Sequence, residues 1–273
     1  MSAHKSNKPI DFLSDTSLSL IAGPCVIENM DMLNICAEKL CEITSRLKIP
    51  FVFKASFDKA NRSSISSYRG PGIEKGLDML RKVKERYGVK ILSDIHTPEM
   101  IPQAAEILDI VQIPAFLARQ TDLYRICGEF GIPLNAKKGQ FMSPHEMENA
   151  ISKYRESGGK QIFITERGTF FGYGNLVVDF RSIQIIKSFG VPYFYDATHS
   201  LQLPAARGGS SGGQRQFISP LARAQVAAGA DGIFMETHPD VKNALCDKEN
   251  QWPLNEMAEF LKPLLDIYAV IHG

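Results

Sequence analysis

The sequence predicts an α/β chain that closes into a (β/α)8 TIM barrel, on three observations. Short β-branched or apolar runs alternate with longer amphipathic segments from about residue 18 to the end, and the alternation occurs eight times. The 273 residues, 44% of them apolar, have the length that one α/β barrel commonly occupies. A doubly wound open sheet, the competing architecture, would normally carry a glycine fingerprint after its first strand, and that turn here reads GPCVIEN. A single barrel domain over residues 1–273 is expected.

The candidate strands are 19–27, 51–57, 90–95, 110–115, 133–138, 161–167, 192–198 and 232–238. Residues 1–17 precede the first strand and are expected to form a short hairpin across the amino-terminal end of the barrel. In the first helix Leu33, Cys36, Ala37, Leu40, Cys41, Thr44 and Leu47 recur at three- and four-residue steps, which makes one face buried. The last helix repeats the pattern with Met257, Phe260, Leu261, Leu264, Leu265 and Tyr268. Thr97 before Pro98 and Ser143 before Pro144 read as N-caps with proline at the first helical position. The glycine- and serine-rich stretch 207–214 lacks the GK[ST] ending of a P-loop, so a mobile lid after strand seven is the better reading.

A net charge of +1 with acids and bases interspersed shows neither a nucleic-acid stripe nor a polybasic membrane patch, so any anionic ligand must be met locally. The amino terminus has no apolar core of signal-peptide length, and no later run reaches the ~20 apolar residues of a membrane span. A soluble cytoplasmic protein without nucleic-acid or membrane partners is expected. The five cysteines are an odd number without framework spacing, and a cytosolic compartment would keep them as thiols. Cys36 and Cys41 read as core residues of the first helix; Cys25 stands apart, near the carboxyl end of the first candidate strand.

A parallel barrel carries its active site at the carboxyl ends of its strands. Those positions are densely polar here: Cys25; Lys54, Ser56 and Lys59; Asp94 and His96; Gln112; Lys137 and Lys138; Arg167; Asp196 and His199; Glu236 and His238. A lone lysine after a strand is usually a solvated charge, and a lone histidine is more often a packing residue than a ligand. Together, Lys54, Lys59, Lys137, Arg167 and Arg62 surround one mouth, where they would repel one another without an anionic guest. Phosphate and carboxylate groups are the natural occupants. Arg62 and Ser63 lie farther out on the loop KANRSSISSYRGPG, which suggests a second anion subsite and a condensation of two phosphorylated substrates.

Cys25, His199, Glu236 and Asp247 form a second constellation, contributed from strands one, seven and eight, which are neighbours only if the barrel closes. A thiolate, an imidazole and two carboxylates suit zinc, ferrous iron or manganese and leave room for a water or substrate oxygen.

The runs FVFKASFDKANRSS, QIPAFLARQTDL, GYGNLVVD, DATHSLQ and ETHPD resemble those of the 3-deoxy-D-manno-octulosonate 8-phosphate synthases, and the similarity extends from Ile21 to near the carboxyl terminus. The resemblance implies condensation of phosphoenolpyruvate with D-arabinose 5-phosphate, feeding the inner-core sugar of lipopolysaccharide. That family divides into enzymes with cysteine and enzymes with asparagine at the position of Cys25, and the cysteine class uses a divalent metal. The implied ligands are Cys25, His199, Glu236 and Asp247. Lys54, Ser56, Lys59, Gln112, Ala115, Lys137 and Arg167 would surround phosphoenolpyruvate, and Asn61, Arg62, Ser63 and Asp94 would bind the sugar phosphate. Lys54, Asp94, Lys137, His199 and Cys25 are the implied catalytic groups. Family members are homotetramers in which Phe116 and Arg119 of a neighbouring subunit help close the site.

Two alternatives stay open at this level. The 3-deoxy-arabino-heptulosonate 7-phosphate synthases share the enol donor but use erythrose 4-phosphate, and their loop after strand two reads KPRTSP-like where this chain has KANRSS. A catalytically silent phosphosugar-binding barrel is the other.

Overall fold

Eight parallel strands run in chain order around the molecule: β1 (Ser19–Gly23), β2 (Phe51–Lys54), β3 (Lys90–Asp94), β4 (Ile110–Ile113), β5 (Leu134–Lys137), β6 (Ile162–Glu166), β7 (Tyr193–Asp196) and β8 (Gly232–His238). β8 pairs back onto β1, with Ser19 opposite Gly232 and Gly23 opposite Glu236, so the sheet closes. The structure is a computed structural model that describes residues 17–62, 64–171, 174–203 and 212–272. The helices that follow the strands are α1 (Met30–Leu47), α2 (Ile73–Tyr87), α3 (Ile101–Ile107), α4 (Thr121–Phe130), α5 (Met147–Glu156), α6 (Arg181–Ser188), α7 (Ile218–Ala227) and α8 (Met257–His272). The expected barrel is the observed one.

Period-two alternation divides each strand between two cores. Ile21, Val52, Leu92, Ile110, Phe163, Phe194 and Phe234 form a separate buried cluster, one residue from each strand except β5, and this fills the barrel. Their neighbours Leu20, Ala22, Phe53, Ile91, Val111, Ile164 and Met235 belong to the larger core shared with the helices. Two residues beyond each member of the inner cluster, on the same inward side, stand Gly23, Lys54, Asp94, Gln112, Thr165, Asp196 and Glu236. The apolar layer is thus a floor, and the next layer toward the carboxyl ends is polar.

Gly23 shows why this rim tolerates no bulk at one point: a Cβ there would collide with the Lys54 carbonyl. β1 ends at Gly23 rather than running to residue 27, and beyond it an isolated bridge joins Val26 to Ser56, two residues past the end of β2. Most of the other expected strands are also shorter than the apolar pattern suggests, because their polar ends leave the ladder to build loops; β8 alone has the expected bounds.

The α1 face buries Met32, Leu33, Cys36, Ala37, Leu40, Ile43 and Thr44, a slightly rotated version of the expected stripe, with Cys41 and Leu47 at its half-buried edge. α8 buries Met257, Phe260, Leu261, Leu264 and Tyr268 and leaves Leu265 half-buried. Ser143 and Glu146 form a capping box ahead of α5, and Thr97 occupies the N-cap position before Pro98, each opening a single 3-10 turn. The hairpin expected for residues 1–17 falls almost wholly outside the described residues. So do residues 207–211 of the lid expected over 207–214; within its remainder, Gly212–Gly213 pairs antiparallel with Gln202–Leu203.

Candidate active site

The polar layer opens into a cavity of about 290 Å3 at the carboxyl ends of the strands. Lys54, Lys59, Asp94, Gln112, Lys137, Arg167, Asp196, His199 and Glu236 line it, with His96, Ala115, Phe116 and Asn61 nearer the opening. Lys54, Lys137 and Arg167, from three separate strands or strand ends, do meet at one rim.

These cations do not depend on a guest to coexist, which revises the expectation from sequence. Lys54 Nζ donates to Glu236 Oε1 at 2.6 Å and to the Cys25 carbonyl at 3.0 Å, and Lys59 Nζ lies 3.4 Å from the same carboxylate oxygen. Lys137 pairs with Asp196 and sits 3.1 Å from the centroid of the Phe234 ring. Two buried carboxylates, Glu236 and Asp196, therefore pair with three buried ammonium groups. Arg167 donates to Gln202 Oε1 at 2.7 Å, while its Nη1 has no hydrogen-bond partner among the described residues.

Asp94 anchors a chain of amides and hydroxyls around one side of the barrel. The Ser56 hydroxyl donates to Asp94 Oδ2 at 2.6 Å, and Gln112 Nε2 donates to Asp94 Oδ1. Asn135 then donates to Gln112 Oε1 at 2.8 Å, and Thr165 to Asn135 Oδ1 at 2.7 Å. Each polar side chain is oriented by the next, so no donor direction is left free to rotate.

Burial and charge oppose each other at every titratable group here. Burial disfavours the Asp94 carboxylate, but Lys54, Lys59, His96 and the Ser56 hydroxyl hold its pKa down to about 2. Glu236 stays well below the usual carboxylate range because His199, Lys54 and Lys59 outweigh burial, and Asp196 is lowered in the same way by His199 and Lys137. For Lys137 burial prevails: its pKa falls to about 8 although Asp196 favours the charged form. Burial also lowers Arg167. Lys59 goes the other way, raised well above its ordinary value against burial by Cys25, Glu236 and Asp94.

Beside the cavity the described residues contain two groups able to hold a metal ion, Cys25 with Cys246 and Asp247, and His199 with Glu236 and Asp247. The ligand atoms within each group lie within 4.8 Å of one another, and Asp247 belongs to both. Cys25 Sγ is 3.5 Å from Asp247 Oδ2, while His199 Nε2 is 3.3 Å from Glu236 Oε2 and 3.9 Å from Asp247 Oδ2. His199 Nδ1 is bonded to Asp196 Oδ2 at 2.7 Å, which turns Nε2 toward the carboxylates. A carboxylate holding the far nitrogen is the usual arrangement behind a metal-binding histidine. Without an ion, burial and the neighbouring Cys246 push the Cys25 thiol up, and Asp196 and Glu236 raise His199 against burial. The residues fit a divalent ion, whose binding would displace these protons. Asp247 holds a left-handed backbone with φ of 44°, a conformation that aspartate tolerates at modest cost.

Several expected residues sit elsewhere. Ser56 is fully buried and faces the cavity only through Asp94. Arg62 donates to Cys246 Sγ at 2.8 Å and to the Leu245 carbonyl at 3.2 Å, so it lies along the loop after β8 and not over the cavity. Arg119 lines a separate groove with Glu146 and Lys153, away from its own chain's mouth. Ser63 is outside the described residues. Of the residues expected at the mouth by position alone, Lys138 is turned outward by the period-two rule and is buried with Glu166 at 3.4 Å, whereas His238 is in phase with Glu236 but lies a further pleat along β8, 3.4 Å from Glu28 and outside the cavity lining. Asp196, expected among the polar residues of the mouth, holds both Lys137 and His199, whereas Asn135, Thr165, Gln251 and Cys246 were not anticipated. Counting two residues back from Lys137 and Arg167 exposes Asn135 and Thr165 as inward positions; nothing in the sequence marks Cys246 beyond its place next to Asp247.

Comparison with known proteins agrees with this geometry. The model of the DAHP synthetase I family matches residues 5–270. The 2-dehydro-3-deoxyphosphooctonate aldolase of Desulfotalea psychrophila is 53% identical over 258 residues, covering 94% of this chain and 92% of that protein. Proteins of the same name from Geotalea uraniireducens (54% over 257 residues, 94% of both chains) and Syntrophotalea carbinolica (51% over 264 residues, 97% and 95%) are similarly close. A family match over nearly the whole chain, joined to a closed barrel with a cationic mouth, means that this chain belongs to the DAHP synthetase I family.

Proposed function

We propose that the chain condenses phosphoenolpyruvate with D-arabinose 5-phosphate and water, giving 3-deoxy-D-manno-octulosonate 8-phosphate and phosphate. The observation that carries this is the convergence of Lys54, Lys59, Lys137 and Arg167 on one cavity, in a chain more than half identical to proteins named 2-dehydro-3-deoxyphosphooctonate aldolase.

In this reaction C3 of the enol attacks the aldehyde carbon, water adds at C2, and the C2–O bond to phosphate breaks with its electron pair leaving on phosphate. Lys54, Lys59, Lys137 and Arg167 are proposed to grip the carboxylate and phosphate of phosphoenolpyruvate, and the unpaired Nη1 of Arg167 supports that role. Fixed cations of this kind orient one enol face toward the aldehyde and stabilise developing charge, an effect of several kcal/mol. Gln112 and Ala115 complete the enol pocket. Asn61, Arg62, Ser63 and Asp94 are proposed for the sugar phosphate. Asp94, held at about 2, is a poor base at neutral pH and a good acceptor for sugar hydroxyls. Lys137, at about 8, is better matched to handing a proton to the nascent alkoxide.

Cys25, His199, Glu236 and Asp247 are proposed to hold a divalent zinc, iron or manganese ion. Such an ion supplies Lewis acidity to the aldehyde oxygen or the attacking water. Assembly as a homotetramer would bring Phe116 and Arg119 of a partner subunit to the mouth; the exposure of both side chains supports this. The reaction is assigned to the cytoplasm, consistent with the finding that no described helix is long and apolar enough to cross a membrane.

The test is phosphate release from phosphoenolpyruvate with each aldose phosphate added in turn. Release that requires arabinose 5-phosphate supports the reading. Preference for erythrose 4-phosphate would assign the chain to the heptulosonate branch, and binding without release would make it a silent barrel.

A further inference from the structure

We propose that Cys246 is a second thiolate ligand of the metal centre, which makes the site selective for thiophilic divalent ions. This rests on the metal reading above and extends it to a residue outside the expected ligand set.

Cys246 is buried at 2% exposure, and its Sγ lies 2.6 Å from Cys25 Sγ, so the two thiols, both free, face each other. Two thiolates at ~2.3 Å from one tetrahedral ion would stand roughly 3.8 Å apart. The pair need open by only about 1 Å, within the reach of a small χ1 rotation at either cysteine. Asp247, next in the chain, links the cysteines to His199 and Glu236, so all five donors converge on one region rather than on two separate sites.

The backbone around the pair is held independently of any ion. Gln251, 1% exposed, accepts from the Cys25 N–H at 3.3 Å through Oε1 and donates to the Cys246 carbonyl at 2.7 Å through Nε2. One amide side chain thereby sets the distance between the two cysteines. The Leu245 N–H donates to Glu28 Oε1 at 2.9 Å and ties the loop to the turn after β1. A cysteine that served only as packing would need no cation; Arg62 Nη1 donates to Cys246 Sγ at 2.8 Å, the contact that a thiolate requires when a second negative sulfur joins the centre. Two soft donors shift preference toward zinc, ferrous iron and cobalt and away from manganese and magnesium.

The experiment uses the full chain, stripped of metal under argon with reductant and titrated with Co(II) alone. Thiolate-to-cobalt charge-transfer absorption reports the number of sulfur ligands without any reference to turnover. The expected result is a band that falls to about half in Cys246→Ser and in Cys25→Ser and vanishes in the double variant. In competition the Zn(II)-over-Mn(II) preference of Cys246→Ser should drop by at least about 10-fold. A band unchanged in Cys246→Ser but lost in Cys25→Ser would overturn the proposal and leave the metal reading standing. No Co(II) uptake by the unaltered chain would overturn both. Should Cys246→Ser fail to fold, X-ray absorption of the zinc-loaded unaltered chain decides: two sulfur neighbours support the assignment and one refutes it.

Discussion

Glu236 Oε1 accepts from Lys54 at 2.6 Å while Oε2 of the same carboxylate faces His199 Nε2 at 3.3 Å, so one side chain joins the cation cluster to the candidate metal group. Both Lys54 and Glu236 are 1% exposed, and the carboxylate is fully committed before any substrate arrives. The two halves of the site are therefore electrostatically coupled.

Lys54→Met tests that coupling. It leaves a buried carboxylate with one ammonium fewer, and Lys59 and His199 compensate only in part. A stability loss of about 3 kcal/mol is expected in denaturant titration, at the low end for breaking a buried pair. Turnover should fall on the order of 10^3-fold, as for loss of a charge-stabilising group. Near-normal turnover would remove Lys54 from the site.

Thr165→Val separates architecture from chemistry. Thr165 is the last donor in the chain that runs through Asn135 and Gln112 to Asp94. Valine strands the Asn135 carbonyl in a buried setting, which should cost about 1–3 kcal/mol. A loss of kcat/KM below about 10-fold should accompany it, because Asp94 keeps Ser56 and the lysine field. A loss of catalysis as large as that of Lys54→Met would place this network in the reaction itself.

Lys137 sets a pH limit. Its pKa is lowered to about 8, so the group is charged below that pH and progressively neutral above it. kcat/KM for phosphoenolpyruvate, which reports the free enzyme, should decline through pH ~8 on the alkaline side. Lys137→Arg, whose guanidinium stays protonated throughout, should lose that inflection whatever its absolute rate. Persistence of the inflection would assign it to another group.

Metal removal is the fourth test. Excess chelator should abolish turnover, and Zn(II), Fe(II) or Mn(II) should restore it, whereas Cys25→Ala should not be rescued by metal at ordinary concentrations. Full activity of Cys25→Ala in excess chelator would show that the thiol group serves another purpose.

Much of this was legible along the chain because a barrel strand is a local object. Alternation of apolar runs and amphipathic segments marks eight β/α units, and the polar residues at strand ends mark the mouth. Lys54, Asp94, Gln112, Lys137, Arg167, His199 and Glu236 could all be named before any fold was drawn. Lys138 is misplaced for a reason equally local: at the end of a strand, one residue's difference reverses the side chain, and adjacency to Lys137 hides it. His238 has the parity of Glu236 but stands one pleat too far along β8, where Glu28 is its neighbour.

What the sequence by itself determined is the set of elements, their order, and the charge types gathered at one end, since these follow from periodicity and hydrophobic burial within short windows. Only closure of the sheet, β8 onto β1, brings Glu236 to Lys54 and Cys246 to Cys25 across separations of 182 and 221 residues. Those pairings decide which charges cancel, which pKa values move, and which donors can share an ion. Electrostatic interactions depend on distance through space and on burial, and neither quantity exists until the ring is shut.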